Sequence, residues 1–240
     1  MKKIMTRLLS LVLLGAFIPS FVLAETWDLG KGDITVTATE TSQTVSQVNG
    51  ETKDDPNPVI TSNGKTENTV IINAGENATA NVTLENVNID TGTTDEAAIT
   101  TSGEGNVNIE LNGTNTVQSG NTHAGVEKKD NGTLTITDED KDGSLTATGG
   151  NYGAGIGGGY EGSGSNIAIE GGKVKAIGGT HGAGIGGGSL GSGSNITISG
   201  GEVTAQGGVG GAGIGGGQGG SGSNITISDG KVTATGAGAG

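Results

Sequence analysis

GAGIGGG stands at residues 153–159, again at 182–188 and again at 211–217. Gly153, Gly155 and Gly158 satisfy G-x-G-x-x-G, the spacing of a dinucleotide phosphate cradle. The rival reading is architectural, with each copy one piece of a stacked repeat. A cradle needs an apolar strand before it, a helix after it and an acidic residue about 20 positions on. Here Gly and Ser follow, and both oppose a helix. The calcium-binding roll G-G-x-G-x-D also fails, because GGGQGGSGSN at 215–224 has no Asp.

The whole unit recurs, not only its glycines. The copies begin at 153, 182 and 211, a period of 29, which marks a solenoid. Each unit holds three strand-like pieces: AGI, then NIAIE or NITIS, then KVKAI, EVTAQ or KVTAT. Ile167/Ile169, Ile196/Ile198 and Ile225/Ile227 alternate with small or polar residues, as do Val174/Ala176, Val203/Ala205 and Val232/Ala234. Period two sends one set of side chains inward and the other outward. The spacing predicts an all-β parallel β-helix, with about three short strands per 29-residue rung and Ile156 stacked on Ile185 and Ile214.

Composition agrees. The chain has 51 Gly among 240 residues, 2% aromatics and no Cys, against an ordinary Gly content of about 7%. Large rings cannot fill such a core, so stacked aliphatics and backbone ladders must. Residues 1–24 read as a signal peptide. Lys2, Lys3 and Arg7 precede an apolar run, and Val22-Leu23-Ala24 is a small-residue cleavage pattern. The run is shorter than the roughly 20 residues of a membrane span. Cleavage after Ala24 removes three basic residues and no acidic one, leaving nine basic against 25 acidic groups and no Arg. That balance excludes a basic nucleic-acid footprint and argues against anionic membranes. It suits cations and neutral glycans.

Residues 59–150 read as irregular rungs of the same coil, and 151–240 as the regular Gly-rich repeats. Ala97-Ala98-Ile99 and Ala124-Gly125-Val126 resemble Ala154-Gly155-Ile156. Val59-Ile60 is expected to open the first rung. Residues 25–58, with Trp27, ITVTAT and a polar stretch ending at Pro56 and Pro58, are expected to form a cap and loop over the rung edge. GAGAG at 236–240 falls in phase with a fourth copy, so the last rung is either exposed or continued in a longer protein.

NVTLENVNIDTGTTDEAAITTSGEGNVNIELNGTNTVQSG, residues 81–120, resembles the β-helical carbohydrate-binding domain family of clostridial cell-surface proteins. The match lies in the order V-T-L-x-N-V-N-I, A-A-I, V-N-I-x-L-x-G-T-N-T. The GAGIGGG units are similar to repeats of large secreted or surface proteins of Gram-positive gut bacteria. Together the resemblance covers most of 59–240. It implies a right-handed parallel β-helix, with calcium-assisted binding of acidic plant polysaccharide in some members. No ligand motif aligns, so no binding residue is carried over.

Several residues are candidates for chemistry. Asp138, Asp140 and Asp142, followed by Gly143, form D-x-D-x-D-G, which suits an oxygen-ligated calcium. The twelfth position is Gly149 where a full loop wants Glu, and a solvated acidic turn is the alternative. Tyr152 and Tyr160 flank the first GAGIGGG and are the candidate carbohydrate-binding rings, since sugar faces stack on exposed aromatics. Covering a rung corner is their structural alternative. Asn106, Asn166, Asn195 and Asn224 each precede a second-type strand and suggest a hydrogen-bonded ladder. His123 and His181 are isolated and read as one repeated corner residue. Asp54-Asp55 and Asp138/Asp140 are carboxylate pairs of the kind glycoside hydrolysis uses, but both lie in charged loops. β-helical pectate lyases usually employ an Arg base, which the mature chain lacks. Ala168 and Glu170 interrupt the outward Thr197/Ser199 and Thr226/Ser228 array, against ice binding.

The sequence therefore predicts a secreted, extracellular module, cell-surface associated or free. It is expected to bind polysaccharide or a surface glycan, with calcium as its candidate cofactor and no catalytic residues. No nucleic acid and no membrane insertion after leader cleavage are expected. A stalk, spacer or excerpt of a larger adhesin with no ligand of its own is the alternative, and a polysaccharide-degrading enzyme is third.

Overall fold

Alternation along short Ile- and Val-rich pieces builds the wall. In Gly164–Ile169 the side chains of Ile167 and Ile169 are buried while Ala168 between them is only half-buried. The structure, a computed structural model, describes residues 24–48, 50, 52–129 and 131–238. The leader read at 1–24 lies outside the described residues but for Ala24. Among the described residues there is no α-helix, and no helix is long and apolar enough to cross a membrane.

The strands form three sheets. The first sheet has eight strands: Thr26–Asp28, Val59–Thr61, Thr79–Glu85, Asn106–Asn112, Leu134–Thr137, Gly164–Ile169, Gly193–Ile198 and Gly222–Ile227. The second has six: Asn88–Asp90, Thr114–Gln118, Ser144–Thr148, Lys173–Ile177, Glu202–Val209 and Lys231–Ala237. The third has nine and includes the Ile-Gly pieces of GAGIGGG, at Ile156–Gly157, Ile185–Gly186 and Ile214–Gly215. In each regular turn the chain visits the third, first and second sheets, and every partner in the coil is parallel and one turn away. This is the parallel β-helix that the period predicts.

Register makes the core a set of columns. In the third sheet Ile34 pairs with Val70, then Ile99, Val126, Ile156, Ile185 and Ile214. In the first sheet Val107, Leu134, Ile167, Ile196 and Ile225 align, beside Ile109, Ile136, Ile169, Ile198 and Ile227. The interior members are almost wholly buried, whereas Ile225 and Ile227 on the last described turn are 38% and 52% exposed. Each column residue touches its equivalents above and below, so identical aliphatic shapes suffice and large rings are not needed.

One turn position requires glycine. Gly157, Gly186 and Gly215 have φ of 134°, 127° and 138°, a region essentially closed to other residues. A Cβ on Gly157 would lie 2.0 Å from the carbonyl oxygen of Gly186 on the next turn. The tight corner and the close stacking thus demand the same residue.

The coil begins earlier than residue 59. Thr26–Asp28 runs parallel to Val59–Thr61, and Ile34–Ala38 runs parallel to Val70–Ala74. The chain then folds back antiparallel through Gln43–Gln47 and Lys53–Asp54, so a two-residue strand forms the edge, a common way to blunt one. Gln43, 7% exposed, pins this segment down. Its Nε2 donates to the carbonyls of Asp55 and Asn81 at 3.0 and 2.9 Å, and its Oε1 accepts from Asn81 N at 2.8 Å. ITVTAT therefore supplies a rung of its own. Thr, Val and Ile alternation cannot distinguish a cap strand from a coil strand, because both bury one face.

Candidate functional site

The glycine-rich corners do not cradle phosphate. Within the first copy, Gly155 N and Ile156 N donate to Ala183 O and Gly184 O, each at 3.0 Å. Gly158 N donates to Gly186 O at 2.9 Å, and Ala154 N to Gly158 O at 3.0 Å. The amides that would face an anion are already engaged with the next turn or with their own loop, and no helix follows.

The three aspartates do not gather into one group: Asp138 and Asp142 line the same open cavity, and Asp140 is not among its lining residues. Asp138 Oδ1 accepts from Gly143 N at 3.2 Å and closes its own turn, while Lys141 occupies the loop at φ 62° and Asp140 and Asp142 are exposed. Among the described residues, no group of three or more His, Asp or Glu side chains is placed to hold a metal ion. D-x-D-x-D-G wraps a cation only when the loop curls around a centre. Here the strands Leu134–Thr137 and Ser144–Thr148 pull its two ends into different sheets.

The Asn ladder is present along the regular turns. Asn195 Nδ2 donates to Asn166 Oδ1, and Asn224 Nδ2 to Asn195 Oδ1, each at 3.0 Å. All three sit at positive φ between 50° and 56°, which Asn tolerates well. Asn106 stands apart, accepting from Thr133 N at 2.9 Å. Of the carboxylate pair at 54–55, Asp54 is exposed and Asp55 is wholly buried, bonded to backbone and indole N–H groups.

The aromatic rings converge at one corner of the coil. Tyr152 and Tyr160 meet edge to face with centroids 5.4 Å apart. On its other side Tyr152 stacks on His181 at 5.3 Å, with the planes 18° apart. Backbone bonds between turns fix this geometry: Tyr160 N donates to Thr122 O and Ser189 N to Tyr152 O, both at 2.7 Å. Tyr160 is 47% exposed. The Glu161 carboxylate beside it holds its phenol above the ordinary tyrosine range, first by charge and then by hydrogen bonding.

Below Tyr160 lies a charged cluster that the sequence concealed. Glu127 is only 3% exposed. Its Oε2 lies 2.6 Å from His123 Nδ1 and accepts from Ala124 N at 3.1 Å, while its Oε1 pairs with Lys129 Nζ at 2.8 Å. The cluster and Tyr160 line an open cavity of about 600 Å³, together with Asn131 and Ser163. Four residues of extended chain span about 13 Å, so His123 and Glu127 look unrelated in sequence. The bend at Ala124-Gly125 folds one back on the other.

His123 and His181 do not share one corner position. Gly150 N bonds His123 O just as Gly179 N bonds Gly153 O, whereas His181 N bonds Asn151 O just as Tyr152 N bonds Asn121 O. His123 thus matches Gly153, and His181 matches Tyr152. The turn from Ala124 to Ala154 has 30 residues where the regular ones have 29, and the additional residue shifts the phase.

The family described as Beta helix repeat matches residues 141–160, 167–189, 196–218 and 225–240. No curated protein and no solved structure matches the chain. The protein is a parallel β-helix whose later turns are similar to that repeat, and its function must be read from its own surface.

Proposed function

We propose that this protein is an exported glycan-binding module without catalytic activity, and that Tyr152 and Tyr160 form its sugar platform. One observation carries the reading: a half-exposed tyrosine, braced by a second ring, lines an open cavity together with the buried Glu127 carboxylate. A pyranose face packs on an aromatic ring, and its hydroxyls need fixed donors and acceptors beside that ring. Glu127, His123 and Lys129 are held by one another before any ligand arrives, so little ordering cost falls on binding. Asn131 and Ser163 supply neutral partners.

Export follows from the leader at 1–24, and the extracellular setting from export. The resemblance of residues 81–120 to a clostridial carbohydrate-binding family supports the same ligand class. Nothing in this reading passes through calcium.

The test is a glycan array, acidic plant polysaccharides included, probed with the exported protein and with Tyr160→Ala and Glu127→Gln, each with calcium and with a chelator. Saturable binding that falls about tenfold or more in both variants is expected, with the chelator arm unchanged. Absence of binding by folded, β-rich protein would leave a rigid stalk or spacer, which the uniform stacking of the last turns suits.

A further inference from the structure

The carboxylate of Asp55 is wholly buried and is held from three directions by neutral donors. Its Oδ2 accepts from the backbone N of Glu25 at 3.0 Å and from Trp27 Nε1 at 2.9 Å. Its Oδ1 accepts from Asn57 N at 3.2 Å. Burying an ionised carboxylate is costly, and an adjacent cation recovers much of that cost. Glu25 is itself anchored: its carbonyl accepts from Val59 N at 2.9 Å, and its side chain pairs with Lys53 Nζ at 2.8 Å.

We propose that Asp55 is the receiving site for the α-amino group that export processing creates at Glu25. The proposal rests on the reading that the leader ends at Ala24. Hydrolysis of the Ala24–Glu25 peptide bond by a leader peptidase consumes one water. The hydroxyl goes to the Ala24 carbonyl carbon, which leaves as a carboxylate, and Glu25 N takes up the protons to become an ammonium. That nitrogen already lies within hydrogen-bond distance of Asp55 Oδ2, so a neutral hydrogen bond becomes an ion pair without movement of the chain. Such charge-assisted bonds are roughly twice as strong as neutral ones. Of the described charges flanking Asp55, the Glu25 carboxylate is tied to Lys53, and Asp54 is exposed. Processing thus fastens the first strand, Trp27 and the fold-back segment to one another, and the mature coil is capped more tightly than its precursor.

The test begins with the exported product of the full 240-residue chain, whose N-terminal residue is identified by mass. Glu25 is expected, and any other terminus overturns the proposal while leaving the glycan reading intact. A Gly inserted between Ala24 and Glu25 moves the new ammonium one residue away and restores an amide at Glu25. In otherwise wild-type protein this insertion should reduce the folding equilibrium constant about tenfold. In Asp55→Asn protein the same insertion should change it little. An equal loss in both backgrounds overturns the proposal. A readout that needs no variant is the α-amino pKa of the exported chain, measured by NMR. A value above the ordinary range of about 7.7–8.0 is expected, and a value within that range overturns the ion pair.

Discussion

Tyr152 and His181 stack across one turn of the coil, with ring centroids 5.3 Å apart and planes 18° from parallel. Between two copies of the same repeat this pair adds a ring contact at the corner beside the aliphatic ladder of Ile156 and Ile185, and it carries Tyr160 on its edge. The two tyrosines therefore separate by role. Tyr152→Ala removes two ring contacts and should lower stability by about 1–2 kcal/mol. Tyr160→Ala removes a half-exposed ring with one ring contact and should cost less stability than Tyr152→Ala while glycan binding falls. Urea midpoints alongside binding isotherms test this, and equal destabilisation by the two changes would contradict it.

The corner column of Gly157, Gly186 and Gly215 should tolerate no side chain. Gly186→Ala puts a Cβ 2.0 Å from Gly215 O at a φ of 127°. A loss of at least about 1–3 kcal/mol is expected from the backbone alone. Gly238, with no atom within 4 Å of a built Cβ, is the control, and Gly238→Ala should be neutral in the same denaturation series.

Asn115 occupies a column otherwise filled by Leu145, Val174, Val203 and Val232, so leucine looks acceptable there. It is 1% exposed and serves three backbone groups: Val87 N donates to its Oδ1 at 2.9 Å, and its Nδ2 donates to Asn112 O and Ser144 O, each at 3.1 Å. Asn115→Leu gains apolar contact but strands three polar groups, each costing about 1–3 kcal/mol when buried without a partner. We expect a net loss, read as a lower urea midpoint. An unchanged midpoint would mean that water or a local shift satisfies those groups.

Lys65 lowers the pKa of Asp90, first through its hydrogen bond, with Gly92 N–H adding to it, and Asp90 raises that of Lys65. The folded pKa of Asp90 lies below its unfolded value, so its contribution is complete above the ordinary carboxylate range. That contribution disappears as pH falls through the lowered value. The Lys65 contribution runs the other way: complete below its unfolded pKa, it disappears as pH rises through the raised one. Lys65→Ala should therefore flatten the acid limb of a stability profile, less so in high salt because the pair is exposed. Parallel acid limbs for variant and wild type would contradict this.

The Tyr160 phenol should ionise above ordinary tyrosine, with Glu161 as the first cause. Glu161→Gln should bring its titration down toward the ordinary tyrosine value of about 10, read by phenolate absorbance. An unmoved titration would assign the shift elsewhere.

Most of the coil was legible in the 29-residue period. In a solenoid each turn meets only its neighbours, so a local pattern repeated at fixed spacing already specifies its partners and its inward face. The columns through Ile156, Ile185 and Ile214, and the Asn166–Asn195–Asn224 ladder, follow from that alone. The features that break the period did not follow. Asp138, Asp140 and Asp142 carry a cation-loop pattern, yet Asp138 is spent on closing its own turn and the three do not form one group. His123 and Glu127 meet only because Ala124-Gly125 bends, and His123 loses phase with His181 because one turn is a residue longer. Asp55 meets Glu25 and Trp27 because the chain folds back antiparallel before it resumes coiling. Contacts of that kind join residues at unrepeated separations, so no spacing encodes them, and only the assembled backbone brings them within hydrogen-bond reach.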